Sequence, residues 1–242
     1  MSEVNGRDGR DGNGERGERG EEKRHGGRRP GAGRKKSKRR RGGPHRRRPS
    51  LSPHHPVHVV LRVARWVPEL RLGKFYRALR PVLARYLGND AFRIVHLSIQ
   101  TNHLHMLVEA RDRKALTRGM QSFAINAARA INKAHGVAGK VFAFRYHATQ
   151  ITSPRQARNT LAYVLNNWRR HHLDWENRRF SKAKLDEYSS AVSFTGWVGR
   201  RRWAVPKGYE PLPVEPARTD LLARRWERYG LIDPFEVPGP IS

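Results

Sequence analysis

The stretch TNHLHMLVEA, residues 101–110, contains two histidines on either side of one leucine. On an extended strand, residues two apart share a face and lie about 7 Å apart, so His103 and His105 can each direct one ring nitrogen toward a single cation. An H-x-H pair alone is a weak signal in a chain with 12 histidines. The competing interpretation is two solvated or hydrogen-bonded histidines on the outer face of a strand, so further donors are needed to decide.

A second candidate group lies in YVLNN, residues 163–167. Tyr163 and Asn167 are four residues apart and therefore share one face of a predicted helix. A tyrosine hydroxyl, with an ordinary pKa near 10, is a poor nucleophile at neutral pH. Beside a divalent cation that polarises a phosphodiester, it can attack phosphorus and leave a covalent phosphotyrosine and a free 3′ hydroxyl. The Asn167 amide oxygen could bind the same cation, and two imidazoles and an amide leave positions open for phosphate oxygens.

Hydropathy patterns predict the elements that would position these residues. Alternation of apolar residues predicts strands, and apolar repeats every three to four residues predict helices. The resulting order is strand 56–64, helix 71–88, strand 92–101, strand 103–110, helix 112–135, strand 141–151 and helix 153–172. Through the fourth strand this is the split βαβ pattern. We therefore predict an α+β, ferredoxin-like fold: an antiparallel sheet of four to five strands with packed helices.

Alternation in the third strand separates a core face from a polar face. Leu104, Met106 and Val108 are predicted to face the core. The opposite face carries His103, His105, Leu107 and Glu109.

Composition divides the chain into three parts. Residues 1–53 are rich in Gly, Arg and Glu and cannot offset their ordering entropy, so we predict a disordered polybasic arm. Its run GRKKSKRRRGGPHRRRP, residues 33–49, is interpreted as a non-specific phosphate clamp rather than only a solubilising tail. The domain that carries the candidate residues is placed at 54–175. Residues 176–242, interrupted by prolines, are expected to form a loop and a short helix that dock on this domain or on DNA.

The charge favours polyanionic partners. The formal net charge is +29, and residues 51–242 alone contribute +18, so the arm does not account for it. The absence of cysteine excludes disulfides, thiolate metal sites and cysteine nucleophiles. No apolar run approaches the roughly 18 residues of a membrane span, and the N-terminus lacks the apolar core of a signal peptide. A cytoplasmic location without membrane association is expected.

Taken together, His103-Leu104-His105, Tyr163 and Asn167 resemble the single-tyrosine transposases of the HUH superfamily, in particular the IS200-like and REP-associated tyrosine transposases. In that family an H-U-H motif, where U is a bulky apolar residue, lies on a strand of a ferredoxin-like sheet. The nucleophilic tyrosine lies on a helix after the fourth strand, and an Asn or Gln follows it by four residues. The resemblance covers about residues 55–172. Many relatives have proline directly after the Asn, where this chain has Trp168, so the exit of the helix differs.

The resemblance implies a catalytic nucleophile, Tyr163, and three ligands of Mg²⁺ or Mn²⁺, namely His103, His105 and Asn167. It implies nicking and rejoining of single-stranded DNA at the foot of a hairpin, through a covalent 5′-phosphotyrosine, in DNA transposition. Because the phosphoester energy is retained, no nucleotide cofactor is expected. The protein would then work in association with the nucleoid.

Basic and aromatic residues near this constellation are candidate DNA contacts. His58, His96 and His147 could contact phosphate or support the site, although a plain outer-face histidine is the commoner outcome. Glu109 could act in proton transfer or behind the metal ligands. The predicted DNA contacts are Arg145, Tyr146, His147, Arg169 and Arg170, with Arg46, Arg47 and Arg48 in the arm.

Two other classes of function stay open. One is a catalytically silent protein of the same fold that binds hairpin or single-stranded nucleic acid, although the RNP1 consensus of RNA-binding domains is absent. The other is a metal-dependent hydrolase that uses water, which normally wants an acidic base that is not clearly placed here. A pure binding protein has no need of Tyr163, His103, His105 and Asn167 together. The sequence leaves open whether the protein is a monomer or a homodimer, and whether Tyr163 acts in cis or in trans.

Overall fold

The structure, a computed structural model, describes residues 50–173, 184–199, 203 and 205–239. The predicted DNA contacts of the arm, Arg46, Arg47 and Arg48, lie outside these residues. In the described ranges, no helix is long and apolar enough to cross a membrane.

Four antiparallel strands form the sheet that carries the candidate residues. They are β1 (Val57–Arg62), β2 (Phe92–Ile99), β3 (His103–Ala110) and β4 (His147–Gln150), in the spatial order β2-β3-β1-β4. Each neighbouring pair is antiparallel. With helices between β1 and β2 and between β3 and β4, this is the split βαβ topology. The predicted ferredoxin-like fold is confirmed, with four strands in the part of the chain that the structure describes.

Two helices cover the first face of the sheet, α1 (Gly73–Ala84) and α2 (Arg113–His135). Leu104, Met106 and Val108 point to this side, as their alternation predicts, and are buried in one apolar cluster with residues of both helices. Burial of this continuous apolar surface is the main favourable contribution to folding.

Local sequence signals set the two ends of α2 and its close packing against β2. The Asp112 side chain accepts a hydrogen bond from the N–H of Ala115 at the start of the helix, and Gly136 ends it in the left-handed conformation with a φ of 74°. Gly119 allows a close approach to β2, because a Cβ there would lie 2.2 Å from the Phe92 ring.

A third helix, α3 (Pro154–Leu165), covers the opposite face of the sheet. Leu161 and Val164 of this helix pack with Leu107 of β3 in a second apolar cluster. The polar face of β3 therefore lies inside the molecule. The interpretation of its histidines as solvated residues is wrong for His105, which is 3% exposed.

The helix predicted at 153–172 is interrupted. α3 ends at Leu165, Asn166 departs from helical geometry with φ −105° and ψ 12°, and the single turn α4 (Asn167–Arg170) follows. The Asn166 side chain donates a hydrogen bond of 2.9 Å to the carbonyl of Asp233, which stabilises the break. Tyr163 and Asn167 thus lie on two consecutive helices rather than on one continuous helix.

The strand predicted at 141–151 is also shorter than expected. Three steps along the first strand, from Val60 to Val63, correspond to five steps from His147 to Phe142 on its partner. The extra residues form a bulge at 143–146 that interrupts the ladder. Phe144 is 72% exposed as a result.

The C-terminal segment, residues 205–239, runs back over the domain. It contributes one short helix, α5 (Asp220–Ala223), and a 3₁₀ turn, Arg225–Tyr229. Leu222 and Trp226 of these elements are buried in the apolar cluster of α3.

Glu109 anchors this C-terminal segment. Its buried carboxylate accepts hydrogen bonds from the backbone N–H groups of Arg218 and Thr219, at 3.0 and 2.8 Å, and from the Thr219 hydroxyl at 2.8 Å. The Arg93 guanidinium lies 3.4 Å away and balances its charge. This set of partners corrects the expectation that Glu109 acts in proton transfer or behind the metal ligands.

Candidate active site

Three histidines from two strands meet on the face of the sheet that α3 covers. The Nε2 atoms of His103 and His105 lie 2.8 Å apart. The Nε2 atom of His58 lies 3.0 Å from Nδ1 of His105, and the two rings stack with centroids 5.2 Å apart. The register of β1 against β3 produces this contact, because His58 pairs with Leu107 and is therefore a diagonal neighbour of His105.

Tyr163 reaches these histidines from α3. Its ring meets the His105 ring edge-on, with centroids 5.1 Å apart, and the His58 ring with centroids 6.0 Å apart. The neighbouring Leu161 and Val164 are fixed in the apolar cluster, which orients the helix. The half-buried tyrosine is thereby held in contact with one histidine of the H-x-H pair.

Asn167 carries a buried side chain without a partner. It is 0% exposed, and neither its Oδ1 nor its Nδ2 atom has a hydrogen-bond partner in the described residues. A buried polar group left unsatisfied costs about 1–3 kcal/mol, so its presence calls for a compensating interaction. An amide oxygen is a suitable donor to Mg²⁺ or Mn²⁺.

Burial keeps the histidines neutral near pH 7. Desolvation, aided by the positive charges of His171 and Arg62, lowers the pKa of His103 to about 4. Burial lowers the pKa of His105 well below its ordinary value, and the pKa of His58 to about 4. A neutral imidazole keeps one bare nitrogen lone pair, which metal binding requires.

The donor set fits a divalent cation. The imidazoles of His103 and His105 supply two converging nitrogens, and the unsatisfied amide of Asn167, one turn after Tyr163, is a further candidate donor. In the described part of the chain, no group of three or more His, Cys, Asp or Glu side chains is arranged to hold a metal ion. A cation held by His103 and His105 would need a third protein donor of another type, and the Asn167 amide is the candidate.

One positive side chain lies beside the tyrosine. The Arg170 guanidinium carbon lies 5.7 Å from the Tyr163 ring centroid, and its Nη1 donates to the carbonyl of Pro238 at 3.0 Å. The predicted DNA contacts Arg145 and His147 are exposed at the bulge and at the start of β4, whereas Tyr146 is partly buried against the first apolar cluster.

Arg169 does not belong to this positive surface. It is 6% exposed, its Nε donates to the carbonyl of Pro234 at 2.7 Å, and its guanidinium lies 4.6 Å from the Trp168 ring centroid and 5.3 Å from that of Phe235. The prediction that Arg169 faces DNA is wrong, because this side chain holds the C-terminal segment against α4.

One residue of the site went unrecognised in the sequence. Asn102 directly precedes the H-x-H pair, and its Oδ1 lies 2.7 Å from Nδ1 of His103. A side-chain acceptor next to a candidate ligand is a local signal that could have revealed it. The specific contact of His58 was also missed, although its phase on β1 places it on the polar face.

His96 lies on the same face of the sheet but forms a separate contact. Its Nδ1 is 3.0 Å from the Ser190 hydroxyl, and its ring meets Phe194 edge-on with centroids 5.5 Å apart. Burial lowers the pKa of His96 to about 4.

We expect part of the folding stability to be lost below pH 6.5 because of His96. Its folded-state pKa of about 4 lies below the ordinary value of 6.5, so the unfolded chain takes up the proton first as the pH falls. Full protonation would cost roughly 3 kcal/mol. Denaturant unfolding at several pH values should give a smaller loss between pH 6.5 and 4 for His96→Asn than for the wild type. Equal losses in the two proteins would contradict the assignment.

Comparisons with known proteins gave a family match and several structural likenesses. Residues 53–167 match the family model of IS200-like transposases. A search of curated proteins gave no match. A solved REP-associated tyrosine transposase bound to a REP hairpin is 16% identical, with a TM-score of 0.43 over 53% of this chain and 74% of that one. A Deinococcus radiodurans R1 protein assigned as a transposase is 12% identical, with a TM-score of 0.34 over 50% and 93%. A bacterial tRNA(His) guanylyltransferase-like protein in complex with ATP is 10% identical, with a TM-score of 0.39 over 55% and 67%.

The family match is the comparison that bears on identity. The family match begins before β1, spans the H-x-H pair and Tyr163, and ends at Asn167. Through its residues 53–167, just under half of its length, the chain matches the family of IS200-like transposases.

Proposed function

We propose that this transposase nicks single-stranded DNA and transfers the strand through a covalent bond to Tyr163. The observation that carries the proposal is the contact of the Tyr163 ring with His105, 5.1 Å between centroids, beside the converging Nε2 atoms of the H-x-H pair. A nucleophile next to paired metal-ligand nitrogens is the arrangement that metal-assisted phosphoryl transfer uses.

His103, His105 and Asn167 would hold Mg²⁺ or Mn²⁺, which polarises the scissile phosphate when bound. All three donors are neutral, so they do not cancel the charge of a divalent cation. Coulomb attraction to an anionic phosphodiester is then retained in a buried setting where it is weakly screened. The unsatisfied amide of Asn167 supports this assignment, because coordination would supply the partner that the fold does not.

Tyr163 then performs the covalent step. A bond forms between its Oη and phosphorus as the bond from phosphorus to the 3′ oxygen breaks. The tyrosine proton passes to solvent, and the departing oxygen takes a proton to become a 3′ hydroxyl. Attack by the 3′ hydroxyl of another strand reverses the step and restores the tyrosine, so no nucleotide cofactor is consumed.

Single-stranded or hairpin DNA is the proposed substrate. Arg170 beside the Tyr163 ring suits contact with phosphate. The exposed Phe144 and Arg145 of the bulge offer an aromatic face and a positive charge at the edge of the sheet that carries the histidines. Base stacking on aromatic side chains together with phosphate contacts is typical of single-strand recognition.

A hydrolytic alternative is less well supported. Attack by water would require a carboxylate base near the metal ligands. Glu109, the carboxylate on the polar face of β3, is occupied by Arg218, Thr219 and Arg93.

The test uses the full chain with labelled hairpin oligonucleotides that carry single-stranded flanks. We expect an adduct that resists SDS, requires Mg²⁺ or Mn²⁺ and is lost with chelator. It should retain a label on the DNA segment whose 5′ phosphate becomes attached to Tyr163 at the nick. A label on the other segment should instead appear on a released strand with a 3′ hydroxyl. A duplex without unpaired flanks is the matched control.

Two outcomes would overturn the proposal. Tight hairpin binding without an adduct in either metal would favour a catalytically silent binding protein. Metal-dependent cleavage without an adduct would favour the hydrolase.

A further inference from the structure

Two large aromatic side chains are exposed near the end of β1. Trp66 follows the last residue of β1 by four positions and is 45% exposed, and Phe144 in the bulge is 72% exposed. Single exposed apolar residues are ordinary on a protein surface, but two large rings on neighbouring segments call for an explanation. Among the described residues, neither ring belongs to the two apolar clusters that hold the helices to the sheet.

Backbone hydrogen bonds place the two segments side by side. The N–H of Ala64 donates to the carbonyl of Val141 at 2.7 Å, and the N–H of Ala143 donates to the carbonyl of Arg62 at 3.0 Å. In the sheet, β1 lies between β3 and β4. The end of β1 therefore meets the strand of the H-x-H pair on one side and the bulge on the other.

Positive charge accompanies the two rings. Residues 62–67 and 139–147 contain four basic residues and no acidic one. All four are exposed, namely Arg62, Arg65, Lys140 and Arg145. Arg62 also pairs with His103 across β1 and β3, so the two side chains share one face of the sheet. A surface of this charge next to the histidines attracts a polyanion and repels the basic arm of the same chain.

The indole of Trp66 is fixed along one edge. Its Nε1 donates to the carbonyl of Lys140 at 3.2 Å. A Cβ on Gly139 would lie 3.0 Å from the Cζ2 atom of the indole, so glycine at this position leaves room for the ring. A ring that is oriented before binding loses little conformational entropy when a ligand stacks on it.

We propose that Trp66 and Phe144 form a stacking surface for unpaired bases of the DNA flank. The adjacent arginines would contact the phosphates of the same strand. The inference rests on the proposed function and names the subsite that takes the strand next to the scissile phosphate. Every base has an aromatic face, so stacking on these rings accepts unpaired strands of any sequence. Bases in a duplex are stacked on one another, and freeing them costs energy.

A purely structural role for the rings makes a different prediction. If Trp66 only packed on the loop at 139–140, its replacement would affect the binding of every DNA alike. Loss of stacking weakens the binding only of DNA that has unpaired bases. An oligonucleotide of abasic sites keeps the phosphates and removes the bases, so it separates the two roles.

The experiment measures the affinity of the full-length protein by fluorescence anisotropy, with a chelator present to prevent nicking. The probes are a thymidylate oligonucleotide, an abasic oligonucleotide of equal length and a duplex of equal length. Trp66→Leu and Phe144→Leu should each weaken binding of the thymidylate strand by about 10-fold, within the range for loss of one stacked base. Binding of the other two probes should stay unchanged. Trp66→Phe should keep most of the affinity.

A matched control and the salt dependence sharpen the test. Tyr229 is also an exposed aromatic residue but lies over Arg155, so Tyr229→Leu should bind all three probes as the wild type does. The affinity for single strands falls with salt by a slope of about 0.7 per phosphate contact. Arg145→Gln should reduce this slope, whereas Trp66→Leu should leave it unchanged.

The outcomes separate the inference from the proposed function. Equal losses of affinity for the thymidylate and abasic strands in Trp66→Leu and Phe144→Leu would overturn the inference, and so would unchanged affinity for both. Because Phe144 is largely exposed, Phe144→Leu keeps the inference testable should Trp66→Leu not fold. Either result in a protein that still forms the adduct would leave the covalent mechanism standing. Losses confined to the thymidylate strand in a protein that never forms an adduct would support the stacking surface and overturn that mechanism.

Discussion

Tyr163→Phe should abolish the covalent protein–DNA adduct while leaving hairpin binding and metal binding intact. The substitution removes only the hydroxyl oxygen that would attack phosphorus. The ring that packs on His105 and His58 is retained, so the site should keep its shape. Loss of a nucleophile that no other group replaces lowers the rate by at least roughly a thousandfold. Denaturing gels of labelled hairpin reactions measure adduct formation, and filter binding measures affinity.

A second tyrosine provides the control for this experiment. Tyr229 is 49% exposed and lies against Arg155, away from the histidines. Tyr229→Phe should form adduct at the wild-type rate. Adduct in Tyr163→Phe, or its loss in Tyr229→Phe, would remove Tyr163 from the nucleophile role.

Asn167→Leu should lose activity and gain stability. The wild-type amide is fully buried with both polar atoms unsatisfied, and leucine has the same branched arrangement of heavy atoms without that penalty. We expect the free energy of unfolding to rise by about 1–2 kcal/mol in the metal-free protein. Metal-dependent nicking should fall by more than about 100-fold, since loss of residues behind the ligands already costs 10- to 100-fold. Urea unfolding and single-turnover nicking measure the two effects.

The neighbouring residue supplies a matched control with the opposite expectation. Asn166 is also buried, but its side chain donates to the carbonyl of Asp233. Asn166→Leu should therefore lose about 1 kcal/mol of stability, because a hydrogen bond is removed and a carbonyl is left unpaired. If Asn167→Leu were destabilised in the same way while nicking at the wild-type rate, Asn167 would be a structural residue and not a metal ligand.

Much of this arrangement could be predicted from local patterns. Alternation in β3 assigned Leu104, Met106 and Val108 to the core and the histidines to the other face, and both assignments hold. The family resemblance rested on two short motifs, the H-x-H pair and a tyrosine followed by asparagine after four residues. These features depend on neighbours in sequence, which is why they could be recognised without a structure.

The predictions that were wrong concern side chains whose contacts are made with residues far away in the sequence. Arg169 and its neighbour Arg170 are the same residue type in the same basic run. Arg169 is nevertheless buried, because its guanidinium contacts the carbonyl of Pro234 and the ring of Phe235. Glu109 was expected to act in proton transfer or behind the metal ligands. Its partners are instead main-chain groups of the C-terminal segment, at Arg218 and Thr219, which are far from it in the sequence. No local pattern encodes such contacts.

The burial of the histidines was likewise invisible in β3 itself. Alternation distinguishes two faces of a strand but does not tell whether the second is covered. Coverage comes from α3, whose Leu161 packs with Leu107 in the second cluster. The same layer brings Tyr163 into contact with His105, so the packing that lowers the pKa of the histidine also positions the proposed nucleophile.

The contacts between the C-terminal segment and α3–α4 bear on whether the tyrosine helix exchanges between chains. Arg158 pairs with Glu236, and Asn166 and Arg169 donate to the carbonyls of Asp233 and Pro234. Exchange of the tyrosine helix with a neighbouring molecule would break all three. We therefore expect each polypeptide to keep its own tyrosine beside its own histidines. The yield of adduct per chain should then be unchanged when the protein is diluted.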